Sequence, residues 1–414
     1  MHVWRCCEAD MIAGSVRQAL RRRFQICARS HPWLLRAYGH VPLFRPWGVR
    51  RAAQVEDGIS ALDVAEKVLL TWPREIAKPR VGLVRDWQRP PSWIKYGRFC
   101  QNNGLFHEFY EIHAYNWMEE AGRFDLIVGH PSGTPSRLDE LWRKTYILER
   151  LLGKQCYPAL DDLDMYEDKH MQFSVLRLLK FPVIPTWISY DERDALRLAA
   201  TLKYPLVSKL ITGAGAMGVA MIKSSAEAER FIRKVFSPHG CYRHWPYLRQ
   251  KDYVLFQEFI PNDGYDVRVI CVGDLAFGYY RRAASGDFRA SGSGIYEKRE
   301  LPEQVVHTAH RVAQALNAPY LSVDFLRNTV GEYLIIEIAH FNQIDTPEQL
   351  HVDGVPGAYM VDGDKPVRFV PGRFWVQELA LKRVCERYIA RRQQDGTQNM
   401  GCDWPQSVGR VPAS

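Results

Sequence analysis

Residues 204–222 constrain the fold more than any other stretch of this chain. Tyr204-Pro-Leu-Val-Ser-Lys-Leu-Ile211 is a short apolar run that carries one lysine, Lys209, into Thr212-Gly-Ala-Gly-Ala-Met-Gly218. A second apolar run, Val219-Ala-Met-Ile222, follows at once. Glycine has no Cβ, so the backbone N–H groups around Gly213, Gly215 and Gly218 can turn toward an anion at close range. A lysine beside such a loop supplies a point charge for phosphate. By letter the loop also matches Gly-x-Gly-x-x-Gly, but that fingerprint runs from a strand into a helix. Here the sequel is β-like. The stretch therefore reads as a strand–loop–strand flap over phosphate, with a tight structural turn as the alternative. Kinase glycine loops share that form, but no His-Arg-Asp and no Asp-Phe-Gly motif occurs.

A second constraint lies downstream. Leu321-Ser-Val-Asp-Phe-Leu326 and Tyr333-Leu-Ile-Ile-Glu-Ile338 flank a turn at 328–331. With Val330-Gly331 as a two-residue turn, Asp324 lies directly across from Glu337. Facing residues have Cβ atoms about 4.5–5.5 Å apart. Two carboxylates at that distance repel unless a cation lies between them, which predicts a Mg²⁺ site. A bulge or register slip that separates them, or a turn-capping role for one, is the alternative.

Around these two stretches the chain alternates between strand and helix patterns. Strand patterns at 80–86 and 124–129, a helix with the start of a strand over 97–113, and a helix pattern at 137–153 predict a small open α/β unit. A helix is expected over 165–181, then a strand at 183–189, a helix at 192–203 and a helix from a Ser225 cap to Phe236. Strands follow at 254–260, 267–272 and 276–282, the last two forming a hairpin around Gly273-Asp274. Pro302 opens a helix with Val305, Val306, Ala309, Val312, Ala313 and Leu316 on one face. Residues 59–72 read as a helix, 354–369 as an irregular lid, and 374–392 as a helix with Leu379, Leu381, Val384 and Tyr388 as core candidates, followed from Gln393 by a loose polar tail.

The 414 residues suffice for two or three domains. No apolar run approaches the roughly 18 residues of a membrane-spanning helix. Nine cysteines without a CxxC pair suggest free thiols in a reducing compartment, the cytoplasm. The net charge of +8 is uneven, because Met11 to Val55 contains no acid while nine arginines fall between Arg17 and Arg51. That basic island is either a solvated helical face or arm, or a surface for an anionic partner such as membrane or nucleic acid.

Taken in order, the motifs over roughly 155–345 resemble the ATP-grasp superfamily, most closely its glutathione synthetase-like and ribosomal-protein glutamate-ligase-like carboxylate–amine ligases. The motifs are Asp168-Lys169, Leu206-Val-Ser-Lys209 with its glycine loop, Phe256-Gln-Glu-Phe-Ile-Pro261, Gly264-Tyr-Asp-Val-Arg268, Gly286-Asp-Phe-Arg289, and the Asp324 and Glu337 strands. The resemblance implies an α/β (α+β) ATP-grasp fold over 161–375. It would be preceded by a small α/β domain at 77–160 and an Arg-rich helical extension at 1–76, and followed by a C-terminal helix and tail at 376–414. It implies ATP and Mg²⁺, with Mn²⁺ as a substitute. Lys169, Lys209, Gly213, Gly215 and Gly218 would hold phosphates, and Glu258, Phe259 and Ile260 the adenine edge. Asp266 would lie near the ribose, Arg268 and Arg289 would act at the transferring phosphoryl group, and Asp324 and Glu337 would bind metal. The implied substrates are a small-molecule or peptide carboxylate and an amine, and the implied assembly includes a homo-oligomer. One departure stands out. The family usually has Glu-x-Asn at the second metal position, and this chain has Glu337-Ile-Ala339, with His340 and Asn342 next. The alternative reading is an ATP-binding protein with altered or lost ligase chemistry.

Overall fold

The computed structural model describes residues 60–86, 91–213, 215–216, 218–244 and 248–398. The basic island and the polar tail from 399 lie outside them. The helix expected at 59–72 is a 3₁₀ turn at Ser60–Val64 followed by irregular chain. Its backbone donors find partners elsewhere: Glu66 N–H bonds Arg373 O at 2.8 Å and Leu70 N–H bonds Asn103 Oδ1 at 2.7 Å.

The first unit is a parallel sheet of β1 (Val81–Leu83), β2 (His107–Phe109), β3 (Leu126–Val128) and β4 (Gln155–Tyr157), in the order β2-β1-β3-β4. β1 and β3 are buried along their whole length, as parallel strands covered on both faces must be. Helices α1 (Ser92–Asn102) and α2 (Pro135–Tyr146) lie in its crossovers. One helix was expected over 165–181, but two form, α3 (Leu160–Met165) and α4 (Lys169–Leu178). The break is at Glu167, whose φ of 57° no helix accommodates, and Asp168 then caps α4 by accepting Met171 N–H at 2.9 Å.

The second unit holds the glycine loop. β5 (Thr186–Ser189), β6 (Leu206–Ser208) and β7 (Ala220–Ile222) are joined by α5 (Glu192–Thr201); α6 (Ser225–Val235), the hairpin β8 (Cys241–His244) and β9 (Leu248–Gln250), and β10 (Val254–Glu258) follow. The sheet order is β5-β10-β6-β7, antiparallel throughout. β6 and β7 pair as Leu206↔Ile222 and Ser208↔Ala220, so the flap topology is the one expected. The α6 cap is Ser224, which accepts Glu227 N–H, one residue before the expected Ser225.

The third unit is built on β11 (Tyr265–Val272), β12 (Leu275–Arg282), β13 (Tyr296–Glu297), β14 (Leu321–Arg327), β15 (Tyr333–Ala339), β16 (His351–Val352), β17 (Val355–Met360) and β18 (Arg368–Pro371). Its order is β15-β14-β11-β12-β17-β16, with β13 beside β12 and β18 beside β17. The expected lid at 354–369 is therefore largely sheet. Its missed signal is Asp353-Gly354, a two-residue turn with both φ angles positive that pairs Val352 with Val355.

Alternation along these strands separates core from site. Val267, Val269, Val323 and Phe325 face α7 (Glu303–Ala315) in one core with Val305, Val306, Ala309 and Val312. On β11 the opposite face is divided. Ile270 and Val272 enter a core with α8 (Val376–Gln398) and the first unit, while Asp266 and Arg268 are polar. That polar half-face is the floor of the cleft below.

Candidate active site

Two elements meet over a cavity of about 100 Å³. The glycine-loop sheet supplies Val207, Lys209, Leu210, Gly213 and the strand end Gln257-Glu-Phe-Ile260; the large sheet supplies Asp266, Arg281, Asp324, Ile336 and Glu337. Lys169 enters from the first turn of α4 and Arg289 from the loop after β12. Ten of the residues expected from sequence thus line one space: Lys169, Lys209, Gly213, Glu258, Phe259, Ile260, Asp266, Arg289, Asp324 and Glu337. Gly215, Gly218 and Arg268 do not line it.

Asp324 and Glu337 do lie opposite each other, though not by the route expected. The turn is wider than two residues, with Arg327 pairing Tyr333, and a bulge between Asp324 and Phe325 restores the register. The bulge leaves Ile336 and Glu337 both facing the cavity. The two carboxylates are each met by protein cations. Asp324 accepts from Arg268 Nε and Nη2 at 2.7 Å each, and from Arg281 Nη2 at 2.6 Å. Burial raises its pKa, but the two guanidinium groups outweigh this and hold the carboxyl well below the usual range. Glu337 pairs with Lys169 Nζ at 2.9 Å. Burial would lower Lys169, but Glu337 and Glu167 outweigh it and keep the ammonium charged.

Asp266, expected near a ribose, gives both oxygens to Arg281, at 2.6 and 2.9 Å. Arg281 was not singled out from sequence, although the signal was present: the hairpin around Gly273-Asp274 places it opposite Asp266. Glu167 was also missed. Its carboxylate accepts Gly213 N–H at 3.0 Å, while Lys169 Nζ donates to Gly213 O at 2.8 Å, so α4 holds the loop's first glycine at both ends. Arg289 donates to Asp287 and, through Nη1, to Val219 O at 3.1 Å on the far side of the loop. Glu258 N–H donates to Pro185 O, so a base edge at this strand end has to be met by 259–260 or by other atoms of 258.

Lys209 differs from the other cations. It is 8% exposed, and among the described residues its ammonium makes one hydrogen bond, a long 3.5 Å one to Ile336 O. Burial pushes its pKa down to about 8 despite the pull of Glu337. A buried ammonium with most of its donor capacity uncommitted is arranged to receive an anion.

No group of three or more His, Cys, Asp or Glu suited to a metal occurs among the described residues. Asp324 and Glu337 offer oxygen only, which fits a cation that completes its shell with water and phosphate oxygens, as Mg²⁺ does. Neither His340 nor Asn342 lines the cavity, and Asn342 Oδ1 accepts from Tyr320 O–H at 3.0 Å.

A larger cavity of about 630 Å³ opens at the C-terminal ends of β1, β3 and β4, where the strand order reverses. It is bordered by the 129–133 loop, by His113 and by Glu167, which links it to the glycine loop.

Residues 166–353 match the family described as the RimK-like ATP-grasp domain. The α-aminoadipate–LysW ligase LysX of Saccharolobus solfataricus is 24% identical over 202 residues, 47% of this chain and 70% of that protein. A probable α-L-glutamate ligase of Ectopseudomonas mendocina is 30% identical over 139 residues, 32% of this chain and 42% of that protein. Among solved structures, D-alanine–D-alanine ligase from Bacillus anthracis complexed with ATP aligns at 16% identity with a TM-score of 0.47, covering 77% of this chain and 100% of that one. Residues 166–353 thus form a RimK-like ATP-grasp domain, and that domain contains the flap, both lysines and both facing carboxylates of the cavity.

Proposed function

We propose that this protein is an ADP-forming ligase that joins a carboxylate to an amine, or to a similar nucleophile such as a thiol, at the expense of ATP. The observation that carries the reading is Lys209, a buried and uncommitted cation at the base of the glycine flap, facing the Asp324–Glu337 pair. LysX supports the substrate class, since its name describes a ligase that joins α-aminoadipate to LysW. The five described cysteines outside the flap are buried and unpaired, which fits the reducing, cytoplasmic setting expected from sequence. No helix among the described residues is long and apolar enough to cross a membrane.

A carboxylate resists amines at neutral pH because its leaving group would be oxide. In the proposed reaction a carboxylate oxygen bonds to the γ-phosphorus as the bond to ADP breaks. The amine nitrogen then attacks the carbonyl carbon of the acyl phosphate, inorganic phosphate leaves with the bonding pair, and the amine proton passes to solvent or phosphate. Lys209 and Arg289 sit where they would meet charge at the transferring group, and Arg268 and Arg281 hold Asp324 in place. Asp324 and Glu337 would hold Mg²⁺, which when bound neutralises phosphate oxygens. The flap excludes water that would hydrolyse the intermediate. The larger cavity would receive the acid or amine.

Ala339 favours a second reading, a nucleotide binder whose chemistry is altered or lost. The two separate in one assay: purified protein with ATP, Mg²⁺ and pooled acids and amines, followed by ADP and phosphate release. The ligase reading expects release that needs both an acid and an amine. ATP binding with no release from any pool selects the second reading.

A further inference from the structure

The hairpin β8–β9 stands between α6 and β10 and carries an arginine that none of the expected motifs includes. Arg243 Nη2 donates to Ser208 Oγ at 2.9 Å, to Ser208 O at 3.3 Å and to Gly218 O at 2.8 Å. Ser208 is the last residue of β6, immediately before Lys209, and pairs with Ala220 in the final rung of the β6–β7 ladder. Gly218 closes the glycine loop on the other side. One guanidinium therefore ties the two ends of the loop together just beyond the last rung.

Three further observations bear on its role. Ser208 is fully buried, and the Arg243 guanidinium lies 4.9 Å over the Phe231 ring. Among the described residues its Nε has no partner and no carboxylate pairs with it. Finally, Gly218 cannot carry a side chain: its φ is 73°, and a Cβ would come within 2.6 Å of Leu210 Cδ1. The far end of the loop is thus fixed by close packing on one side and by Arg243 on the other. Burying a guanidinium without a carboxylate partner costs stability. Its placement behind an anion-facing loop supplies a positive potential where one is useful.

We propose that Arg243 is a positioning residue of the nucleotide site, which clasps the mouth of the glycine loop, fixes the direction of Lys209 and adds positive charge behind the loop. The inference rests on the reading of the cavity as a nucleotide site. It assigns the hairpin a part in binding rather than leaving it as a surface excursion.

The test measures ATP affinity with Mg²⁺ by calorimetry, and hydrogen exchange of the 209–222 segment without nucleotide, in wild type, Arg243→Ala, Arg243→Lys, Arg249→Ala and Lys209→Ala. Arg249 serves as the hairpin control, since it bonds His239 O and the Tyr242 hydroxyl and, among the described residues, no atom of the loop. Loss of charge-assisted bonds of this kind is expected to weaken ATP by about tenfold or more in Arg243→Ala. Exchange in 209–222 should rise while that of α7 stays unchanged. Arg243→Lys keeps the charge but reaches fewer acceptors, so it should fall between wild type and Arg243→Ala; it also carries the test if the alanine variant does not fold. Wild-type affinity and exchange in the Arg243 variants overturn the proposal, as does an equal loss in Arg249→Ala. Unchanged ATP affinity in Lys209→Ala overturns the nucleotide reading itself, and this inference with it.

Discussion

Lys209 and Arg281 show how two buried cations in one cleft come to do opposite things. Among the described residues Lys209 has one hydrogen bond, a 3.5 Å contact to a carbonyl, and burial outweighs the pull of Glu337 and brings its pKa to about 8. An anion binds the protonated lysine better, and anion binding in turn raises the lysine's pKa. ATP affinity is therefore expected to be level below about pH 8 and to weaken as pH rises through it, because the free protein then gives up the proton that the complex retains. Calorimetric titrations at pH 7, 8 and 9 check this, and Lys209→Arg, which stays charged throughout, should flatten the profile. Arg281, by contrast, is fully committed, with Asp266 and Asp324 both accepting from it. Arg281→Met leaves Asp266 buried without a cation, and breaking one side of such a pair costs about 3–5 kcal/mol. A urea unfolding curve should show that loss even in a protein never exposed to nucleotide. The difference was only half legible in the sequence. The glycine loop announces Lys209, because a lysine running into glycines has few structural explanations. Arg281 sits in Tyr279-Tyr-Arg-Arg282, an ordinary strand end until the hairpin register places it opposite Asp266.

At the scale of elements, the strands were easier to read than the joints between them. Apolar runs and the Gly273-Asp274 turn specify β11 and β12 almost to the residue, since a two-residue turn fixes register. The facing of Asp324 and Glu337 was also legible, but through a wide turn and a compensating bulge that no local pattern announces. Helix α8 was legible as a helix with a core-facing side, and of its expected core residues Leu381, Val384 and Tyr388 are buried and Leu379 partly so; which elements it packs on was not legible. Its residues Val376, Ala380, Leu381, Val384 and Cys385 are buried in a core shared with Val81, Phe99, Ile270 and Phe277, so it joins the first sheet to the third unit. Glu378, fully buried, pairs with Arg98 of α1 at 2.8 Å across that joint. Leu381→Ala should cost about 2–5 kcal/mol, the range for deleting a buried leucine side chain. The cost should appear as lowered stability of the whole unfolding transition, with ATP affinity at the distant flap unchanged in the folded fraction. An effect on affinity without an effect on stability would contradict the placement of α8.

At the scale of the whole molecule, the cavity lies between two hydrophobic cores that are otherwise separate. One contains Leu206, Ile222, Val254 and Phe256 under the flap sheet; the other contains Val267, Val323, Phe325 and Ile338 under the large sheet. Few side chains cross directly from the flap sheet to the large sheet at the cavity, and the Lys209 contact to Ile336 O is a weak one. A ligand that takes Lys209 from the first and Asp324 and Glu337 from the second would add a link to those already made by Arg289 to Val219 O and by Ile184 N–H to Ile335 O. Binding to the native state alone stabilises it by RT ln(1 + [L]/Kd), about 2.7 kcal/mol at a hundredfold excess over Kd. ATP with Mg²⁺ is therefore expected to raise the midpoint of thermal unfolding by several degrees, and to raise it most for whatever part of the transition belongs to residues 184–258. Mg²⁺ alone should do little, because two carboxylates already paired with Arg268, Arg281 and Lys169 hold it weakly without phosphate oxygens. Scanning calorimetry with ATP, Mg²⁺, both or neither separates these cases. If Mg²⁺ alone shifted the midpoint as far as the pair does, the carboxylates would form a self-sufficient metal site, and the cleft would need a different account from the one given by Lys209.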